Sequence, residues 1–91
     1  MSKQQSILNE VLSLTLYNTR MLFNETQSAF SERCGISPRT YEDLELSYRL
    51  PTFKSLINII IATELDVNEM VREIKKRGYI VSDEVYTNDK V

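Results

Sequence analysis

Apolar residues near the start of the chain recur in steps of three and four, which predicts an amphipathic helix from Ser6 to Phe23. The core-facing stripe of this helix comprises Ile7, Leu8, Val11, Leu12, Thr15 and Leu16. Further apolar residues widen the stripe, namely Leu14, Tyr17, Met21 and Leu22. Because this surface exceeds what one small core needs, we expect part of it to face a second copy of the chain.

The segment from Thr26 to Thr52 predicts two short helices joined by a glycine-containing turn. Thr26 caps the first of them, which starts at Gln27. Gly35 ends it, since glycine tolerates the left-handed conformation that helix C-termini favour. The predicted buried positions of this helix are Ala29, Phe30 and Cys34.

The second short helix begins after Ser37, a suitable cap, with Pro38 at the first helical position, where a missing N–H costs nothing. Tyr41 and Leu44 form its inward face, and Ile36 fills the preceding turn. The outward residues are Arg39, Thr40, Glu42 and Asp43. Two helices at this spacing are typical of a helix-turn-helix, in which the second helix enters the major groove of DNA and the first crosses the phosphate backbone.

Two further helices and a tail follow the helix-turn-helix. Thr52 is expected to cap a helix from Phe53 to Glu64. The predicted core face of that helix comprises Phe53, Leu56, Ile57, Ile60 and Ile61. Asn68 is expected to cap a fifth helix from Glu69 to Arg77, which Gly78 stops. We therefore predict an all-α, five-helix domain over residues 1–78. Residues 79–91, rich in β-branched and aromatic side chains, are either a strand that pairs across a dimer or a loose end.

Several residues of this segment match one known pattern without a gap. They are Thr26-Gln27, Phe30-Ser31, Gly35-Ile36-Ser37, Thr40-Tyr41, Leu44-Glu45, Pro51-Thr52, Leu56, Leu65 and Val67. The pattern resembles the Cro/repressor type of regulator, the lambda-repressor-like domain also called the XRE family, over roughly residues 8–71. The resemblance implies a five-helix fold that binds double-stranded DNA. It also implies a structural ion pair between Arg20, in the first helix, and Glu45.

Two positions depart from the family pattern. Ser47 stands where the family has a glycine, so we expect backbone strain if φ is positive there. Glu25 stands where an apolar residue is usual, which predicts different packing at the end of the first helix.

The charge of the chain is balanced and not basic. Its 91 residues carry 11 Lys and Arg against 13 Asp and Glu, a net charge of −2. Non-specific affinity for DNA comes mainly from neutralised phosphates, so we expect weak background binding with a shallow dependence on salt. Helix N-termini and backbone amides bind phosphate without formal charge, so a domain of this kind need not be basic overall. Whether it binds DNA then depends on where its few cations are placed.

The composition argues against catalysis, metal binding and a cofactor. The chain has no histidine, a single cysteine and no glycine-rich phosphate loop. Cys34 fits a small buried residue, with a redox-sensing thiol as the alternative. The sequence shows no signal-peptide pattern and no apolar run of membrane-spanning length, so we expect one cytoplasmic domain that does not enter a membrane.

The predicted DNA-binding residues surround the second helix of the motif. They are Thr26, Gln27, Ser37, Pro38, Arg39, Thr40, Asp43, Tyr48, Arg49 and Lys54. Gln27 is expected to touch a phosphate and Thr40 a thymine methyl or a phosphate. Arg39 is expected to donate two hydrogen bonds to guanine, which discriminates by about 1–3 kcal/mol. The carboxylates of Glu42 and Asp43 either accept from cytosine N4 or are solvated or paired within the protein.

Two functions remain open on the sequence. The first is a homodimeric transcriptional regulator, a repressor, on a palindromic operator with half-sites about one helical turn apart. The second is a protein-binding module of the same fold, an antitoxin or anti-repressor, whose acidic surface engages a basic protein. Arg39 and Arg49 favour the first, and Glu42 and Asp43 favour the second.

Overall fold

The computed structural model describes residues 2–81, which form five α-helices. They are α1 (Lys3–Phe23), α2 (Gln27–Arg33), α3 (Pro38–Glu45), α4 (Phe53–Thr63) and α5 (Val67–Lys76). No strand occurs within this range, and the predicted all-α, five-helix class is confirmed for it. Residues 82–91 of the predicted tail, with the strand considered there, lie outside the described residues.

Each helix begins at a side chain whose oxygen accepts a backbone N–H of the first turn. The caps are Ser2, Thr26, Ser37, Thr52 and Asp66. The prediction for α5 was wrong, because Asp66 and not Asn68 caps it. The Asp66 carboxylate accepts from the Glu69 amide at 3.0 Å, so the helix starts at Val67. The start of α1 was also predicted too late, because the hydroxyl of Ser2 caps it.

The core lies where α1, α2, α3 and α4 meet. Its buried members are Leu12, Leu16, Phe30, Cys34, Ile36, Tyr41, Leu44, Ile59 and Leu65. The rings of Phe30 and Tyr41 meet edge to face with centroids 5.4 Å apart, which joins α2 to α3. Burial raises the pKa of the Cys34 thiol to about 11, so this residue packs as an apolar group and is a poor nucleophile.

Two predicted buried faces were partly wrong. In α4, Phe53 is 78% exposed and Ile61 is 74% exposed, whereas Ile59 and Thr63 are buried. Apolar residues surround this helix on most sides, so their spacing alone does not fix which side faces the core. In α2, Ala29 is exposed.

An ion pair lies at the junction of α1 and α2. Glu25, where the resemblance predicted different packing, binds Arg33 with a shortest N–O distance of 2.6 Å. The Arg33 guanidinium also lies 4.4 Å from the centroid of the Phe23 ring. The hydrogen bond from Arg33 holds the pKa of Glu25 below its ordinary value.

The opposite side of the molecule, where α1, α4 and α5 meet, is held by aliphatic contacts. An open cavity of about 190 Å³ remains there, lined by Leu8, Leu12, Leu50, Pro51, Leu56, Met70 and Ile74. After α5 the chain returns to the start of α1, where the Ile80 amide donates to the Gln4 side chain at 3.1 Å. Within residues 2–81, none of the helices combines the length and hydropathy needed to span a bilayer.

Candidate nucleic-acid interface

The segment from α2 to α3 forms a helix, a tight turn and a second helix. Gly35 adopts a φ of 69° just after α2, a left-handed conformation that favours glycine. The Ile36 amide then donates to the Ser31 carbonyl at 2.9 Å, and the Ile36 side chain is buried under the turn. Ser37 caps α3 by accepting from the Thr40 amide at 3.2 Å. The first turn of α3 therefore projects from the molecule, with Pro38 and Arg39 exposed.

The Glu45 carboxylate, near the end of α3, links α1, α2 and α3. Arg20 of α1 donates to both of its oxygens, with Nε–Oε2 at 2.7 Å and Nη2–Oε1 at 3.1 Å. Gln27 of α2 donates to Oε1 at 2.9 Å, and the Tyr41 hydroxyl donates to Oε2. Arg20 and Glu45, whose pairing the family resemblance implied, are both largely buried. Hydrogen bonds from α1 and α2 thus fix the orientation of α3.

Electrostatics keep this cluster in one protonation state. Burial raises the pKa of the Glu45 carboxyl, but the hydrogen bonds from Arg20, Tyr41 and Gln27 outweigh it and hold that pKa below its ordinary value. Burial, followed by the hydrogen bond to Glu45, raises the pKa of the Tyr41 phenol well above its ordinary value. Glu45 is therefore a charged acceptor and Tyr41 a neutral donor near pH 7.

Two residues that the sequence analysis missed hold the C-terminal end of α3 against α1. The Ser13 hydroxyl donates to the Glu45 carbonyl at 2.6 Å, and the buried Asn9 amide donates to the Ser47 carbonyl at 3.1 Å. Asn9, Ser13 and Arg20 follow one another along a side of α1 at helical spacing. That polar line beside an apolar stripe was the signal available in the sequence. Ser47, where the sequence predicted strain if φ is positive, has a φ of 65°.

Five of the predicted DNA-binding residues form one polar network on the outer side of α3. Ser37 donates to the Thr40 hydroxyl at 2.9 Å, and Arg49 Nη2 donates to the same oxygen at 2.8 Å. Asp43 then lies between two arginines, with its Oδ1 3.7 Å from Arg39 Nε and its Oδ2 3.8 Å from Arg49 Nε. The structure therefore places two guanidinium groups and one carboxylate on the exposed face of α3.

The remaining predicted DNA-binding residues lie outside that network. The Thr26 hydroxyl accepts from the Ala29 amide at 3.1 Å as the α2 cap, and the Gln27 amide is engaged by Glu45. Pro38 and Tyr48 are exposed, as is Lys54 in the first turn of α4. Among residues 2–81, no side-chain hydrogen bond or ion pair joins Tyr48 or Lys54 to the network. Over the same range there is no cluster of three or more His, Cys, Asp or Glu side chains suited to a metal ion.

One comparison with known proteins bears on this geometry. The chain is similar to the cryptic phage CTXphi transcriptional repressor RstR of Vibrio cholerae serotype O1 (strain ATCC 39315 / El Tor Inaba N16961). The two sequences are 34% identical over 55 residues, which cover 60% of this chain and 49% of the relative. The chain thus spans about half the length of the relative it matches. No protein-family model and no solved structure matches the chain.

Proposed function

We propose that the protein is a sequence-specific DNA-binding transcriptional repressor of the Cro/repressor, XRE type, acting in the cytoplasm. The observation that carries the proposal is the first turn of α3, which projects from the fold with the Arg39 side chain 84% exposed. Such a turn is the part of a helix-turn-helix that reaches base edges in the major groove. The similarity to a protein named as a phage transcriptional repressor supports the same function.

The proposed roles follow from the position of each group. Arg39 donates from its two terminal nitrogens to guanine O6 and N7. Thr40 and Arg49 lie beside it, where they meet a base edge or a phosphate. Thr26 and Gln27, at the start of α2, face the phosphate backbone, as do Tyr48 and Lys54. Gln27 does so through the second N–H of its amide, since the first is bound to Glu45. These phosphate contacts set the register on the duplex and do not read the sequence.

We further propose that the protein acts as a homodimer on a palindromic operator. Leu14, Tyr17 and Met21 form an exposed apolar line along α1, in steps of three and four residues. Isolated exposed apolar residues are common on protein surfaces, whereas a continuous line of this kind marks an interaction surface. Light scattering at micromolar concentration tests this part, because a monomeric mass for the protein would contradict it.

A gel-shift titration tests DNA binding. The probes are duplexes flanking the gene of this protein, followed by sequences selected from random DNA. Arg39→Ala should weaken binding to the selected duplex about 5- to 150-fold, which corresponds to about 1–3 kcal/mol. Arg72→Ala is the matched control, because Arg72 is also an exposed arginine in a helical ion pair but lies on α5. Equal losses in both variants would contradict the assigned role of α3.

A second candidate function is a protein-binding module for a basic partner. The observation that favours it is the exposed carboxylate of Glu42 on the same outer side of α3. The same titration separates the two functions. Absence of a shift for the wild-type protein at low salt, with every duplex tried, would favour the protein-binding module.

A further inference from the structure

The position of Asp43 between two arginines assigns it a role that goes beyond the contacts described above. Asp43 follows Arg39 by four residues in α3, so the two side chains lie on the same side of the helix. Arg49 approaches from the following loop. The Asp43 side chain is 23% exposed, while that of Arg39 is 84% exposed. The carboxylate therefore lies at the base of the face from which the guanidinium groups project.

The atoms involved in these pairs leave the DNA-reading atoms of Arg39 available. Asp43 approaches Arg39 at Nε, and bidentate recognition of guanine uses the two terminal nitrogens of an arginine. The Arg39 guanidinium can thus pair electrostatically with the carboxylate on its Nε side, at 3.7 Å, and donate to guanine from its terminal nitrogens. The Asp43 contact to Arg49 also involves Nε, while Nη2 of Arg49 is bound to Thr40.

The charge of Asp43 has the opposite effect on contacts with phosphate. A carboxylate on the DNA-facing side of α3 repels any phosphate placed there, and phosphate contacts supply most of the affinity for DNA of unrelated sequence. When guanine takes the terminal nitrogens of Arg39, the same carboxylate lies behind the arginine and favours the bound conformation. By this reasoning, a carboxylate at this position would weaken non-specific complexes and support the specific one.

We propose that Asp43 is a specificity-determining positioning residue, which holds Arg39 and Arg49 in place for base contacts and discriminates against DNA that lacks the recognised sequence. This inference rests on the proposed DNA-binding function. It also resolves the choice left open by the sequence, since Asp43 acts through its arginines and not as an acceptor for cytosine N4.

The Asp43→Asn substitution tests this role without an expected loss of folding. Asparagine keeps the size of the side chain and removes its charge. Asp43 lies in the last turn of α3, where the helix dipole does not favour a negative charge. Glu42→Gln is the matched control, because it removes the same charge from the neighbouring residue. Among residues 2–81, Glu42 is in no ion pair.

The first measurement compares affinities for two duplexes, one selected from random DNA by the wild-type protein and one of the same composition in shuffled order. Both substitutions should raise affinity for the shuffled duplex about threefold, because each removes one negative charge. Asp43→Asn should lower the ratio of selected to shuffled affinity about tenfold or more, whereas Glu42→Gln should leave it within about twofold of wild type. A ratio in Asp43→Asn within about twofold of wild type would overturn the inference while leaving the proposed function standing.

A second measurement uses the free protein. The Nε–H groups of Arg39 and Arg49 should become more mobile by NMR relaxation in Asp43→Asn and remain unchanged in Glu42→Gln. Unchanged mobility in Asp43→Asn would overturn the positioning role. If the wild-type protein binds no duplex at low salt, the proposed function fails, and the specificity role of Asp43 fails with it.

Discussion

The two sides of α1 are held by different kinds of interaction. On one side, the buried Glu45 carboxylate receives hydrogen bonds from Arg20, Gln27 and Tyr41, which join α1, α2 and α3. On the other side, aliphatic residues of α1, α4 and α5 pack around an open cavity of about 190 Å³. Hydrogen bonds to a buried charge require one geometry, whereas aliphatic contacts accept several. The directional interactions thus occur next to α3, the helix to which the proposed function assigns the base contacts.

The largest effect should come from removing the shared acceptor. Glu45→Ala should lower the free energy of unfolding by about 3–5 kcal/mol, because it leaves the buried Arg20 charge without its partner. Urea unfolding, monitored by circular dichroism, measures this change in the free energy of unfolding. Glu73→Ala, which removes a half-exposed helical pair with Arg77, is the control and should have far less effect. Similar losses in the two variants would show that the two sides of α1 do not differ as argued.

A smaller effect should come from removing one donor. Gln27→Leu should destabilise the protein by about 1.5–3 kcal/mol, because Glu45 loses a charge-assisted hydrogen bond. Met70→Leu, a change of similar shape at the aliphatic cavity, should cost less than about 1.5 kcal/mol. The same urea unfolding measures the free energy of unfolding of both variants. A larger cost for Met70→Leu than for Gln27→Leu would reverse the comparison.

Acid should weaken the polar side of α1 selectively. The pKa of Glu45 in the folded protein lies below its ordinary value of 4.5, so its contribution to stability is present above that pH and is lost as the pH falls through the folded pKa. In urea unfolding from pH 6 to pH 3, roughly the range that spans carboxyl titration, Glu45→Gln should show a shallower acid loss than wild type. Glu25 and Glu73, whose pKa values are lowered by Arg33 and Arg77, should leave some acid sensitivity. Identical pH profiles would exclude the assigned role of Glu45.

The smallest effect concerns the turn after α3. Ser47 has a φ of 65°, so Ser47→Gly should stabilise the protein by about 1 kcal/mol through relief of left-handed strain. The Asn9 contact is to the Ser47 carbonyl and is retained. Asn24→Gly is the comparison, because Asn24 has a φ of 53° at the end of α1 but asparagine tolerates that conformation. The thermal midpoint of unfolding measures both changes. A lower midpoint in Ser47→Gly than in wild type would contradict the claim that Ser47 is strained.

The sequence predicted the polar side of α1 better than the aliphatic side. Caps at Thr26 and Ser37, with Gly35 between them, defined α2 and α3 because each is a local signal. The start of α5 was missed because Asp66 and Asn68 are both good caps, and the local sequence pattern does not select between them. The core face of α4 was misplaced for the same reason, since apolar residues occur on nearly all of its sides.

In the candidate site, too, the sequence predicted local features better than contacts between elements. Arg39, Thr40 and Asp43 were assigned to the outer side of one helix by their spacing, and they lie there. Tyr41 precedes Glu45 by four residues in α3, so helical spacing alone brings those two together. Arg20 and Gln27 reach the same carboxylate from two other helices, and the periodicity within each segment carries no information about that; only the family resemblance indicated the Arg20 pair. The contact of Arg49 with Asp43 depends likewise on the path of the loop after α3.

Burial of Cys34 gives the protein an internal reporter of its own opening. In the closed structure the sulfur is shielded and its pKa is about 11, so a disulfide reagent at neutral pH finds almost no accessible thiolate. Labelling then requires transient separation of the helices around it. If the proposed function holds, the labelling rate of Cys34 with and without a duplex would show how strongly binding at the outer face of α3 suppresses those fluctuations.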